Sequence, residues 1–178
     1  MNIKVVTVGE YQTNCYIVEK GNTCIIIDPG AEPERIIANI DYQKDVAGIF
    51  ITHSHQDHIG AITEIFRKYN CPIYSKSNLK DGKNKVDNFE FEMISFPGHL
   101  GDEVAYYFPE YKLMFDGDFV FKGGIGRTDM DGASAMDMKL SVQNILRYPD
   151  DISLYPGHGE ATTIKAERGN LNYFAKVL

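Results

Sequence analysis

Cysteine is scarce in this chain of 178 residues: there are three, Cys15, Cys24 and Cys71, with no CxxC spacing. An odd number without that spacing excludes a disulfide framework and a structural zinc knuckle. The three read as buried thiols of a protein in a reducing cytoplasm. Positive charge is also in short supply, because 18 Lys and Arg stand against 25 Asp and Glu for a net charge of −7. With no basic block to track phosphates, nucleic acid is not expected as a partner. Long apolar runs are missing as well. None approaches the roughly 20 residues that cross a bilayer, and the opening stretch MNIKVVTVGEYQTNCYIVEKG alternates apolar and polar residues, unlike a secretory leader. Neither membrane association nor export is expected.

What is present suits one α/β domain spanning residues 1–178, a length that buries a substantial core. Short β-rich runs come first, IKVVTV, TNCYIVEK and TCIIIDPG, with Gly21-Asn22 as a hairpin turn between the second and third. Helical spacing follows over Pro33 to Ile40, then a strand at VAGIFIT and a second helix over Ile59 to Tyr69. CPIYSK, FEFEMISF, EVAYYF and KLMF predict further strands, with LKDGKNKVDN as a polar loop. A helix over about Ala133 to Arg147, in which Met136 and Met138 fill core, precedes a strand at ISLYPG and a closing helix from near Thr162. Strands interspersed with helices in both halves imply helices packed on sheet faces.

Histidine is rare, five in all, and three of the five fall in ITHSHQDHIG together with an aspartate. His53, His55, Asp57 and His58 are borderline-to-hard donors suited to zinc, iron or manganese, and one tight loop gathers them at low entropic cost. A strand-like path sends His53 and His55 the same way, while the adjacent Asp57 and His58 can face apart, which fits two metals better than one. The remaining histidines each end an apolar run: MISFPGH at His99 and SLYPGH at His158. KLMFDGD ends in the same manner at Asp118. Sites in α/β sheets lie at the carboxyl ends of strands, so the donors are expected to converge on one rim.

The H-x-H-x-D-H run at His53 to His58, with His99, Asp118 and His158 behind it, resembles the metallo-β-lactamase superfamily. That resemblance implies a four-layer αββα sandwich of two mixed sheets flanked by helices. The motifs TNCYIV, IDPG, GDFVFKGGIGRTD and YPGHGEATTI are similar to small bacterial glyoxalase II-like enzymes, which hydrolyse hydroxyacylglutathione thioesters. Carried over, the likeness assigns His53, His55 and His99 to one divalent metal and Asp57, His58 and His158 to a second, with Asp118 bridging. Zinc is the favoured metal, with iron and manganese compatible. Arg127 matches a position that holds the substrate's carboxylate. After His99 the chain reads Leu100, Gly101, Asp102 where that family has a small hydroxyl residue and then Pro-Gly.

Two dications acidify a water to serve as nucleophile, and Asp57 is placed to accept its hydrogen bond. A small-molecule thioester suits such a site, because a thiolate leaves without a general acid and all five histidines are committed. Lactones and other esters are compatible. GIGRTDM also resembles persulfide dioxygenases, which would hold a single iron through His53, His99 and Asp118. A non-catalytic metal-stabilised module is the remaining alternative, although seven donors shared by two metals leave open positions that a purely structural site lacks. GGIG, Gly123 to Gly126, reads as a tight turn, and Asp28 as orienting the donor loop from a strand end.

Overall fold

A computed structural model describes all 178 residues. The chain runs β1 (Asn2–Val8), β2 (Thr13–Lys20), β3 (Thr23–Ile27), α1 (Pro33–Ala38), β4 (Asp45–Phe50), α2 (Gln56–Ile59), α3 (Ile62–Tyr69), β5 (Ile73–Tyr74), β6 (Gly82–Val86) and β7 (Phe89–Ser95). It continues through β8 (Val104–Phe108), β9 (Leu113–Gly117), β10 (Val120–Phe121), β11 (Gly124–Ile125), α4 (Ala135–Ile145), β12 (Ser153–Pro156), β13 (Thr162–Thr163) and α5 (Ile164–Val177).

Two mixed sheets form. The first has the order β1-β2-β3-β4-β5 and the second β13-β12-β9-β8-β7-β6, with β10 and β11 a separate hairpin over the GGIG segment. In the first sheet, β1 and β2 and then β2 and β3 pair antiparallel, while β3, β4 and β5 pair parallel. In the second, only β9 and β12 are parallel.

Alternation along the strands explains the layers. In β2, Cys15 and Ile17 face a core shared with Ile36 of α1 and Ile65 of α3, while Tyr16 and Val18 face the other sheet. In β3, Cys24 and Ile26 divide from Ile25 and Ile27 in the same way. The middle layer is aromatic, with Phe50, Phe91 and Tyr106 packed edge to face. On the far side, Ala105, Met114 and Leu154 of the second sheet pack on Met138, Val142 and Ile145 of α4 and Leu171 of α5. Three stacked cores separate four layers, the αββα sandwich expected from the sequence.

Several local expectations need correction. Residues of LKDGKNKVDN are not all loop: β6 is an edge strand whose outward residues meet solvent, turning at Asp87-Asn88 into β7. The second helix begins earlier and breaks, so that α2 holds Asp57 and His58 and α3 starts afresh at Ile62. Met138 is buried but Met136 is exposed, since positions two apart on a helix face nearly opposite ways. The three cysteines are free and buried. No helix is long and apolar enough to cross a membrane.

Candidate metal centre

The donor residues follow the ends of β4, β7, β9 and β12, as the strand-end rule requires. His53 and His55 lie in the loop leaving β4, and Asp57 and His58 occupy the single turn α2. His99 follows β7, Asp118 follows β9 directly, and His158 follows β12. The structure brings all seven together in three overlapping groups: His53, His55 and His99; His53, His58 and Asp118; and Asp57, His58 and His158.

Within the first group, His55 Nδ1 lies 3.1 Å from His53 Nε2 and 3.0 Å from His99 Nε2. A tetrahedral ion about 2.0–2.1 Å from each nitrogen would hold them roughly 3.3 Å apart, so the spacing is that of a coordination shell. In the group beside it, His158 Nε2 is 3.3 Å and His58 Nε2 is 3.6 Å from Asp57 Oδ2. Asp118 stands between the groups. Its Oδ1 is 3.4 Å from His58 Nε2, and its Oδ2 is 3.5 Å from His99 Nε2 and 3.4 Å from His158 Nε2.

Four of the imidazoles are anchored from behind through Nδ1. His53 meets Thr52 Oγ1 at 3.0 Å, His58 meets Asp28 Oδ2 at 2.9 Å, His99 meets the Arg127 carbonyl at 3.0 Å, and His158 meets the Tyr11 carbonyl at 2.9 Å. Thr52 gives its own proton to Asp28 Oδ2 at 2.6 Å, so its oxygen faces His53 as an acceptor. Each of these acceptors fixes the proton on Nδ1 and leaves Nε2, with its lone pair, aimed at the shared space, the pattern typical of metal-binding histidines. Asp28 therefore orients the donor loop, holding the Thr52 amide at 2.8 Å as well.

Two further observations test whether the residues fit metal. His58 Nε2 and Asp118 Oδ1 are fully buried, face one another, and have no hydrogen-bond partner. Orphaned buried polar atoms are costly, and a cation between them would satisfy both. At Gly157 a side chain would overlap both Asp118 Oδ1 and His58 Cε1, so glycine keeps the space between donors clear.

The charges tell the same story. Burial opposes the cationic form of His58, yet Asp28 and Asp118 carry its pKa well above the usual histidine value. Burial likewise opposes the charge on His158, but Asp118 and Asp57 push it up to about 9. Asp118 is buried too, and His158 and His58 hold it far below the usual carboxylate range despite that. His53 moves the other way, lowered by burial and then by neighbouring His58. Negative charge is thus built into the floor of the site, and it favours cationic partners there.

An open cleft of about 810 Å³ exposes this floor. Its walls include Glu10, Tyr11, Ala31, Arg127 and Met130. The Arg127 side chain is exposed and pairs with Asp129, Nε to Oδ1 at 2.9 Å and Nη2 to Oδ2 at 3.2 Å. The departure at Leu100 to Asp102 does not leave His99 unsupported, because the Arg127 carbonyl backs it. Sequence reasoning missed Thr13, whose hydroxyl donates to Asp57 Oδ2 at 2.8 Å, and also Thr52 and Glu103 beneath the floor.

A family model described as the metallo-beta-lactamase superfamily matches residues 8–87. Hydroxyacylglutathione hydrolase GloC of Haemophilus influenzae is 31% identical over 94% of this chain and 95% of its own length. The crystal structure of BLEG-1 B3 metallo-beta-lactamase has a TM-score of 0.90 at 27% identity, covering 97% of this chain and 99% of that one. That of TTHA1623 in a di-iron-bound form has a TM-score of 0.84 at 30% identity, covering 93% and 96%. With the donor set, the layered sheets and relatives that align from end to end, the chain belongs to the metallo-β-lactamase superfamily.

Proposed function

We propose that this protein is a dinuclear metal-dependent hydrolase of small-molecule thioesters, of the glyoxalase II-like type. The observation that carries the reading is the pair of donor groups joined by Asp118 at the base of an open cleft. His53, His55 and His99 would hold one cation, Asp57, His58 and His158 the other, and Asp118 both. Zinc is the proposed metal, and the similarity to a di-iron-bound structure supports iron as a substitute.

When bound, the two cations supply Lewis acidity to the carbonyl and draw the pKa of a water from about 15.7 toward 7. Thr13 fixes Asp57 through Oδ2, which leaves the other carboxylate oxygen to accept the hydrogen bond of the attacking water, whose ionised proton passes to solvent. The water oxygen joins the acyl carbon, the C–S bond breaks, and sulfur departs with the electron pair. A thiol of pKa about 8.5 leaves as thiolate without an acid to protonate it, and all five histidines lie in the donor cluster. Arg127, at the cleft wall, would exchange Asp129 for a carboxylate on the substrate. The free, buried cysteines are in keeping with a reducing cytoplasm.

Initial rates with S-lactoylglutathione, beside the lactoyl esters of other low-molecular-weight thiols, test the reading on metal-quantified protein. Hydrolysis that scales with two-metal occupancy is expected, and the thiol series identifies the carrier. Two-metal protein inert toward every thioester would defeat the proposal. One iron per chain, with oxygen uptake on glutathione persulfide, would replace it by the dioxygenase alternative.

A further inference from the structure

Beneath the donor cluster lies a carboxyl group that the chemistry above does not use. Glu103 sits just before β8 and is 0% exposed. Its Oε1 accepts a hydrogen bond from the Asp118 main-chain N–H at 3.1 Å and lies 3.5 Å from His53 Nδ1. Its own main chain is held on both sides, the carbonyl by the Phe96 amide at 3.0 Å and the amide by the Leu100 carbonyl at 3.3 Å. The chain makes room for it. Gly117 has a φ of +56°, and a side chain there would overlap Glu103 Oε1 and Thr52 Oγ1.

We infer that Glu103 is a positioning residue that locks the two sheets' donors in register, fixing the Asp118 backbone on one side and facing the His53 imidazole on the other. The inference rests on the reading of these side chains as metal donors. The two contacts fall on different sheets: Asp118 extends β9, while His53 follows β4. Asp118 is the donor that joins the two groups, so its backbone sets the distance between them. His53 Nδ1–H already has Thr52 Oγ1 at 3.0 Å, and Glu103 Oε1 presents a second acceptor to the same face. Removing outer acceptors of this kind costs about 10- to 100-fold in metal affinity. Burying a carboxyl here serves no packing purpose that an apolar side chain would not serve better. Its Oε2 has no hydrogen-bond partner, so the polar contacts of this carboxyl group are all made through Oε1.

The experiment compares the wild type with Glu103→Leu, which keeps bulk without an acceptor, and Glu103→Gln, which keeps an acceptor oxygen. Zinc affinity is read by competition with a chromophoric chelator, and the cobalt-substituted proteins are compared by visible absorption. The account expects Glu103→Leu to bind zinc about 10- to 100-fold more weakly, with an altered cobalt spectrum, and Glu103→Gln to recover most of both. Wild-type affinity and spectrum in Glu103→Leu would overturn it. If Glu103→Leu does not fold, NMR of zinc-loaded Glu103→Gln decides: the His53 Nδ1–H and Asp118 amide resonances must shift, and unmoved resonances refute the assignment. Since both readouts follow metal and not turnover, a protein that obeys them yet cleaves no thioester would sink the proposed activity and leave this inference standing.

Discussion

The first sheet delivers four donors from one short segment after β4, His53, His55, Asp57 and His58, whereas the second delivers His99, Asp118 and His158 from three separate strand ends. The two halves also differ in how they are backed. In the first half the buried carboxylate of Asp28 holds both Thr52 and His58, while Thr13 holds Asp57. In the second half His99 and His158 rest on main-chain carbonyls, and the register of β9 with β12, Gly117 opposite Pro156, sets the spacing between Asp118 and His158. A local loop arranges its donors at little entropic cost, while distant strand ends depend on the whole sheet being formed. The first half should therefore keep its shape under perturbations that scatter the second.

Breaking the junction between the halves should have the largest effect. Asp118→Ala removes the one carboxylate within reach of both groups. Metal content should fall below two per chain and hydrolysis should drop on the order of 10³-fold, the scale of losing a group that stabilises the transition state. Elemental analysis beside steady-state rates checks this, and retention of two metals would show that the halves do not need a bridge.

Next in size is the backing of the first half. Asp28→Ala strips a buried acceptor from Thr52 and His58 and should destabilise the fold by about 3–5 kcal/mol, as for a broken buried ion pair. Denaturant unfolding of the metal-free protein measures it. The matched change on the second half, Gly157→Ala, would press on Asp118 Oδ1 and His58 Cε1. It should weaken metal binding more than it weakens the fold, which chelator competition and unfolding resolve together.

A smaller effect separates loaded from chelated protein by pH. His158 in the metal-free state has its pKa raised to about 9 by Asp118 and Asp57 against the opposing effect of burial. A histidine whose folded pKa is raised contributes stability that is complete below its unfolded value, about 6.5, and lost as pH rises through about 9. Thermal unfolding of chelated protein should therefore soften from pH 6.5 to 9, while His158→Ala removes this part of the slope. An identical slope in the variant would contradict the ion pairing. Smallest is Arg127→Ala, a change at an exposed pair with Asp129. It should raise KM by no more than about 5-fold at constant kcat, in line with a surface charge worth about 0–1 kcal/mol.

The same contrast between halves explains what could be read in the sequence. The loop of the first half announces itself, because four donors in six positions are conspicuous beside an apolar strand. The donors of the second half are legible only together, as residues that each end an apolar run. The four layers were legible only through the family resemblance, because Cys15, Tyr16, Ile17 and Val18 form an unbroken apolar run whose division between two cores shows only in the fold. What escaped had no local pattern. The carbonyls of Tyr11 and Arg127 act through the main chain, which any residue provides. Glu103 looks like an ordinary charged residue beside a strand until the sheets close over it. The edge strand β6, rich in Lys and Asn, lacks the apolar face that marks a strand between layers.

Metal stoichiometry in protein isolated without added metal tests the central claim most directly, with the wild type compared with His158→Ala. The account predicts two metal ions per wild-type chain and a loss confined to one of them in the variant. A single ion per wild-type chain, bound equally well in His158→Ala, would contradict it.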